Sequence, residues 1–436
     1  MTVGFVGLSH LGIVSSVVAS SRGHEVVAYD PDRSRCEAIN AGRLPIVEPS
    51  LPELLASSRP RLRVTSEPAP LRACELIICA SDIPTTAENH SDLSVVSKLL
   101  DTAIAHAEPG TTLVVLSQVP PGFTRRLDQV IQRQQADRRL MVFYQVETLV
   151  FGSAVERARH PERFIVGCRS PQEDLPTSYA AFLGSFGCPI LRMRYESAEL
   201  AKISINLLLV SSICTTNMVA ELCEMIGADW SEIAPALRLD RRIGPSAYLT
   251  PGLGLSGGNL ERDLITARTL AAQHGTRAHL IQAWIDESRY RREWVLRHLQ
   301  SSVLSSSMEA IIAVWGLAYK AGTASTKNAP AMALLDALRA QRIRAYDPTV
   351  SLNGAAGPHV VQAADALEAC RGADALVIMT PLPECSAIPP QQIRDRMRGS
   401  LLIDPFGMVD GEGWTALGGR YLRLGVPAAG GDRGIG

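Results

Sequence analysis

Thr2-Val-Gly-Phe-Val-Gly-Leu-Ser-His-Leu-Gly12 is the stretch whose reading decides the fold. Thr2 to Val6 is a short apolar run that reads as a strand, Gly7 to Gly12 is a tight turn, and Ile13–Ser21 reads as a helix. The residues fall in the G-x-G-x-x-G spacing of a dinucleotide-binding turn, with Ser9 in the middle glycine position. Serine is small enough to let a pyrophosphate approach, though less closely than glycine does. A second strand, Glu25–Tyr29, ends at Asp30, about where an acid takes the ribose hydroxyls. A carboxylate there repels a 2′-phosphate, so the reading favours NAD over NADP. A bare strand–helix–strand unit without cofactor is the plainer alternative.

Working outward, strands are predicted at Glu75–Ala80, Thr112–Ser117, Leu140–Val146 and Phe164–Cys168, with helices at Ser94–Ala107 and Phe123–Gln135 between them. This alternation predicts a doubly wound parallel sheet. Two prolines in Ser117-Gln-Val-Pro-Pro-Gly122 stop their strand and place a loop at its carboxyl edge, where ligands bind. Beyond the serine-rich boundary Leu299–Glu309 the pattern restarts. Strand Ala310–Trp315 meets Gly316-Leu-Ala-Tyr-Lys320, a helix follows at 330–340, and Ile343–Tyr346 ends in Asp347-Pro348. Ala375–Met379 and Leu401–Asp404 look like later strands of this second, smaller α/β domain. The Gly/Ala-rich end, 427–436, reads as a disordered tail.

Between the two lobes, Glu196 to Ile226 has no proline or glycine and carries apolar residues at helical spacing. Such a helix spans roughly 45 Å, long enough to be the backbone of a dimer. Lys202 and Asn206 are four apart and share one face, with Asn217 about three turns further along. Taken alone, Lys202 is equally a solvated charge, and Asn217 a local cap or pair. Thr250 to Asp263, TPGLGLSGGNLERD, then packs Gly252, Gly254, Gly257 and Gly258 into seven positions. Glycine at that density lets the backbone turn through positive φ and approach a ligand closely, and Asn259, Arg262 and Asp263 follow at once. No Gly-Lys-Ser/Thr ends it, so it is not a Walker loop. A flexible connector is the plainer reading. Helices are predicted after it at Leu264–His274 and around Ala278–Leu299.

The bulk numbers narrow the class. At 436 residues the chain has room for several domains. Lys plus Arg number 43 against 44 for Asp plus Glu, which leaves no overall electrostatic footprint for nucleic acid or a membrane surface. The nine cysteines are scattered, odd in number and never in C-x-x-C spacing. That argues against a metal site and a disulfide framework, and reads as reduced core residues of a cytoplasmic protein. The N-terminus lacks a basic region ahead of an apolar run, and no run of 18 apolar residues occurs, so neither a signal peptide nor a membrane span is expected.

Several segments resemble the UDP-glucose/GDP-mannose dehydrogenase family, over nearly the whole chain. Asn40-Ala-Gly-Arg-Leu-Pro-Ile-Val-Glu48-Pro-Ser-Leu51 is similar to that family's N-x-G-x-x-P-I-x-E-P-x-L segment. Ser91–Ser94, the run from Ala198 through Lys202 to Asn206, Asp240 to Gly244, Gly316 to Lys320, Pro330 and Tyr346-Asp347-Pro348 also match in order. The resemblance implies two Rossmann-like, doubly wound α/β domains joined by a long central helix and a helical dimerisation core. The domains expected are an NAD-binding domain at 1–194, a central domain at 195–299 and a nucleotide-sugar-binding domain at 300–426. It implies a homodimer, NAD as cofactor and a nucleotide sugar as substrate. Residue by residue it implies cofactor contacts at Gly7, Ser9, Gly12, Asp30, Pro84 and Lys327. Substrate contacts fall on Arg242 (reaching into the partner's site), Tyr248, Gly254, Gly257 and Lys320, and chemistry on Lys202, Asn206, Asp263, Glu147 and the position of Asn259.

The family oxidises a sugar 6-alcohol to a carboxylate by two hydride transfers to NAD, with a cysteine thiolate capturing the intermediate aldehyde. Its loop reads G-G-x-C-x-P-K-D. Set against Ser256 to Asp263, the cysteine falls on Asn259, the proline on Glu261 and the lysine on Arg262. The family's N-P-E-F-L-x-E-G is Gln145-Val-Glu147-Thr-Leu-Val-Phe151-Gly152, which keeps the first glutamate and loses the second. S-T-V-P becomes Ser117-Gln118-Val119-Pro120, the D-D-x-R after the C-terminal lysine becomes Ala324–Lys327, and D-x-R-N becomes Asp404–Gly407. No cysteine is placed to stand in; Cys214 is 12 residues beyond Lys202, roughly 18 Å along the helix. Two readings follow, a two-electron NAD oxidoreductase on a nucleotide sugar, or a non-catalytic relative that binds or assembles. The 6-phosphogluconate-type hydroxyacid dehydrogenases are a distant third, disfavoured by the second α/β lobe.

Overall fold

A computed structural model describes residues 1–86, 89–305, 309–352, 354 and 356–428. The chain forms two compact units, Met1–Ile205 and a second from Asn206 onward. Of the expected disordered tail, 429–436 lie outside the described residues, as do 306–308 of the serine-rich boundary.

The first unit carries an eight-stranded sheet. Its strands are β1 (Thr2–Val6), β2 (Glu25–Tyr29), β3 (Leu62–Thr65), β4 (Leu76–Cys79), β5 (Thr112–Val115), β6 (Met141–Gln145), β7 (Phe164–Cys168) and β8 (Ile190–Arg194), in the order β3-β2-β1-β4-β5-β6-β7-β8. All pairs are parallel except β6 with β7. The central strands are buried on both faces, which is why FV, LIIC and TLVV are continuous apolar runs rather than alternating ones. The order reverses between β1 and β4, a switch point where α/β sheets open a crevice for ligand.

The second unit has a six-stranded, wholly parallel sheet. Its strands are β9 (Ile311–Trp315), β10 (Arg342–Tyr346), β11 (Val360–Gln362), β12 (Ala375–Ile378), β13 (Leu401–Ile403) and β14 (Arg420–Leu422), in the order β11-β10-β9-β12-β13-β14. This repeats the order of the first six strands of the other sheet. Trp315 and Trp414 are fully buried against it, and Trp315 Nε1–H donates to Ala366 O at 2.8 Å.

The long helix runs Tyr195–Ile226. By length and composition it is apolar enough to cross a membrane, yet Glu199, Asn206, Thr216 and Asn217 along it are buried within the protein. Two expectations shift here. The helix predicted from Leu264 starts at Asn259, inside the glycine-rich stretch. Gln300–Leu304, in the expected serine-rich boundary, continues helix Trp294–Leu299 as a π-helical turn.

Candidate active site

In the first unit, Gly7, Ser9, Gly12 and Asp30 converge at the carboxyl ends of β1 and β2. Gly7 has φ +93°, and a Cβ on Gly12 would lie 1.7 Å from Gly7 O and 2.8 Å from Ala80 O. Only glycine fits at 12, because strand end, turn and helix meet there. The helix His10–Ser21 starts at once, with Ser9 in the N-cap position. Asp30 is buried and ties the turn together. Leu8 N–H donates to its Oδ2 at 2.7 Å, Asp32 N–H to Oδ1 at 2.9 Å, and Arg35 Nη1 to Oδ2 at 2.9 Å. The glycine cradle and the helix N-terminus therefore fit a dinucleotide, and the carboxylate holds lone pairs near the ribose position. Pro84 lies exposed in the loop after β4, where its carbonyl accepts from Asp92 N–H at 2.8 Å.

Two further ties were not read from the sequence. His10 Nε2–H donates to Glu48 Oε1 at 2.8 Å, and Glu48 also accepts from Gly152 N–H and Ala154 N–H. Phe151 stacks on the His10 ring with centroids 4.0 Å apart. The aromatic residue at 151 thus packs against the dinucleotide turn. Glu147, half-buried at the end of β6, accepts from Leu149 N–H. Glu199 is fully buried on the long helix and caps the proline turn by accepting from Gly122 N–H at 2.5 Å and Thr124 N–H at 2.8 Å. Burial pushes its carboxyl up, against the opposing pull of those amides. An acid on an otherwise apolar helical face was the signal available. Lys202, one turn on, is half-buried. A cavity of about 70 Å³ under the sheet, bordered by Phe5, Val18, Phe164 and Glu147, is too small for a nucleotide.

In the second unit the glycine-rich stretch is tethered rather than loose. Asn217 Oδ1 accepts from Gly252 N–H at 2.8 Å, so it pairs 35 residues away, not locally. Ser288 Oγ accepts from Leu255 N–H at 2.8 Å, and a Cβ on Gly254 would meet Ser288 O at 2.4 Å. Gly257, at φ +77°, lies under the Tyr319 ring. Glu261 and Arg262, after the glycines, have partners of their own. Glu261 pairs with Arg292 Nη2 at 2.8 Å and accepts from Asn328 Nδ2, which also donates to Gly257 O at 2.9 Å. Arg262 Nε lies 3.2 Å from Asp263 Oδ1, and Asn206 Nδ2 donates to Asp263 Oδ2. Arg262, Asp263 and Asn206 are all buried. Both Asp263 oxygens are thus engaged, and the group fixes the Asn206 carboxamide. Asn259 stands exposed in the first turn of its helix, after Gly258 at the N-cap.

The other predicted substrate residues are spread over this unit. Arg242 is exposed and folds back on Asp240 at 2.6 Å. Tyr248 is half-exposed, and its carbonyl accepts from Ser212 and Thr216 hydroxyls. Lys320 places its ammonium 5.8 Å from the Tyr319 ring centroid, and Lys327 is exposed just before the helix that begins at Pro330. The Gly316 turn is held by Asp347, whose carboxylate accepts from Leu317, Ala318, Thr349 and Val350 N–H. Burial pushes this acid up, but the four amides outweigh it and hold it below the usual range. All nine cysteines are free thiols, and burial pushes Cys74, Cys79, Cys214 and Cys385 up to about 12. Those four are protonated at neutral pH and are poor nucleophiles.

This chain belongs to the UDP-glucose/GDP-mannose dehydrogenase family, NAD-using oxidoreductases. Its NAD binding domain matches at 1–181, the central domain at 196–288 and the UDP binding domain at 313–411. It is 30% identical over 443 residues to a UDP-glucose 6-dehydrogenase of Pseudomonas aeruginosa, covering 98% of this chain and 97% of that protein. A UDP-glucose 6-dehydrogenase of Bacillus subtilis is 28% identical over 438 residues, covering 98% and 93%. Among solved structures, a UDP-glucose dehydrogenase from Pyrobaculum islandicum superposes with a TM-score of 0.81 at 25% identity, covering 92% of this chain and 93% of that one. A Pyrococcus horikoshii UDP-D-ManNAc dehydrogenase shares the fold, with a TM-score of 0.85 at 24% identity over 98% and 99%. The UDP binding domain makes a nucleotide sugar the substrate class.

Proposed function

We propose that this chain is an NAD-linked dehydrogenase of a UDP-type nucleotide sugar that performs one hydride transfer and stops at the carbonyl. The observation that carries the proposal is the exposed Asn259 in the first helical turn after Gly258. A cysteine at a helix N-terminus is stabilised as thiolate, and a carboxamide has no such nucleophilic form. An aldehyde gives up a hydride only once a nucleophile has made it tetrahedral. NAD, when bound, accepts the hydride. Lys202 stabilises the sugar alkoxide as the C6–H bond breaks, and the hydroxyl proton passes to a water held by the Asn206 carboxamide. Asp263, already bonded to Asn206 and Arg262, positions that amide. Glu147 orients the sugar hydroxyl, while Arg242, Tyr248, Gly254, Gly257 and Lys320 bind the nucleotide sugar. Asp30 favours NAD over NADP by repelling a 2′-phosphate, and Pro84 and Lys327 complete the cofactor contacts.

The division at 1–194, 195–299 and 300–426 and a cytoplasmic setting are part of the same reading. So is a homodimer. Met218, Leu222 and Met225 form an exposed apolar stripe on the long helix, with Leu208 and Ile226 also exposed, and apolar helical faces need cover. Light scattering at micromolar concentration reports a dimer on this reading, and a monomer refutes it. The catalytic proposal is tested by absorbance with NAD and a panel of UDP- and GDP-sugars. NADH formation with a UDP-sugar is expected. Calorimetric binding of the sugars without NADH would favour the second reading, a binding relative, for which the prior engagement of both Asp263 oxygens speaks.

A further inference from the structure

The loop after β4 lies against the dinucleotide turn. Asp82 N–H donates to Ser9 Oγ at 2.8 Å, and Asp82 Oδ2 accepts from Leu11 N–H at 3.1 Å. Leu11 N–H belongs to the first turn of helix His10–Ser21. Such amides, unpaired within the helix and at its positive end, are where a dinucleotide pyrophosphate is held. The carboxylate is itself exposed, so nothing about core packing puts it there. Among the described residues no Lys, Arg or His lies within ion-pair distance of it; Arg35 is spent on Asp30 and Asp32, and His10 on Glu48.

We infer that Asp82 is an internal competitor of the cofactor. Its carboxylate occupies the amide that the NAD pyrophosphate needs, and it must swing out before the cofactor seats. Two terms then act against binding. One hydrogen bond to the helix N-terminus is exchanged rather than gained, and the displaced carboxylate remains a negative neighbour of a negative ligand. The adenosine end is untouched, because Asp30 is tied to Leu8, Asp32 and Arg35 and not to Asp82. The inference rests on the NAD-binding domain alone and stands whether or not the chain turns a sugar over.

The test is calorimetry of wild type, Asp82→Ala and Asp82→Asn with NAD, ADP-ribose and adenosine, with thermal melts to confirm folding. Asp82→Ala is expected to tighten NAD and ADP-ribose about tenfold, as befits one helix-terminus charge plus its repulsion. Asp82→Asn, neutral but still able to accept, is expected to fall between. Adenosine affinity is expected to be the same in all three. Unchanged or weaker NAD binding in both variants overturns the inference. So does an equal gain for adenosine, or failure of all three proteins to bind NAD.

Discussion

The two glycine turns of this molecule are built alike and end differently. In both, a strand reaches a glycine with positive φ, Gly7 at +93° and Gly316 at +86°. In both, the next leucine N–H donates at 2.7 Å to an aspartate that closes the second strand, Leu8 to Asp30 and Leu317 to Asp347. The sequence around each acid is Tyr-Asp-Pro, and the residue after the proline donates its own N–H to that acid at 2.9 Å. Five residues past the glycine they part. The first turn has Gly12 and runs straight into a helix, while the second has Ala321 and stays a loop until Pro330. The first therefore aims a helix N-terminus at its ligand, as a pyrophosphate requires. The second presents Lys320 instead, a point charge on a flexible stem. One turn architecture thus ends in two different electrostatic settings.

That contrast is open to direct attack. The largest effect is expected from Gly12→Ala, which installs the residue that the second turn carries at the same offset. The new Cβ would sit 1.7 Å from Gly7 O, so destabilisation above about 4 kcal/mol and loss of NAD binding are expected. The reverse change, Ala321→Gly, is expected to cost only about 0.5–1 kcal/mol, through the unfolded chain. Thermal melts decide it, and similar costs for the two would erase the distinction. A smaller, pH-dependent effect is expected from Asp347→Asn. The amides hold the Asp347 carboxyl below its usual range, so its contribution is present above the unfolded value, near pH 4, and is lost as pH falls through the folded one. The gap between wild type and variant in melting temperature is expected to be widest at neutral pH and to close below about pH 4. A gap independent of pH would mean that the charge does not hold this turn.

Much of this was legible in the residues, for identifiable reasons. Strands β1, β2 and β7 were predicted at their observed ends because an apolar run met a glycine, an acid or an arginine there. Strands β3, β8, β11 and β14 were not: β3, β11 and β14 are three or four residues long, and β8, Ile-Leu-Arg-Met-Arg, is largely exposed and broken by arginines, so no period shows. The start of the helix at Asn259 was hidden because four glycines masked the boundary. Asn206 with Asp263, 57 residues apart, was grouped through resemblance, but the neutralising role of Arg262 required the fold. Glu199, Glu48 and Asp82 were missed alike. Each caps or bonds backbone amides far along the chain, and no local spacing encodes such a partner.

On the proposed function, Asn259 ends the chemistry after one hydride. This is tested most directly by counting NADH formed against sugar consumed, with the product identified by mass spectrometry. One NADH per sugar and a carbonyl product are expected from the wild type. Hydration of a free aldehyde, without positioned covalent capture, leaves any second step slower by orders of magnitude. Asn259→Cys is expected to stay poor, because Gln118 and Phe151 still lack the groups that position hydrolytic water. Two NADH per sugar with a uronic acid product, at comparable rates for both steps, would contradict the account.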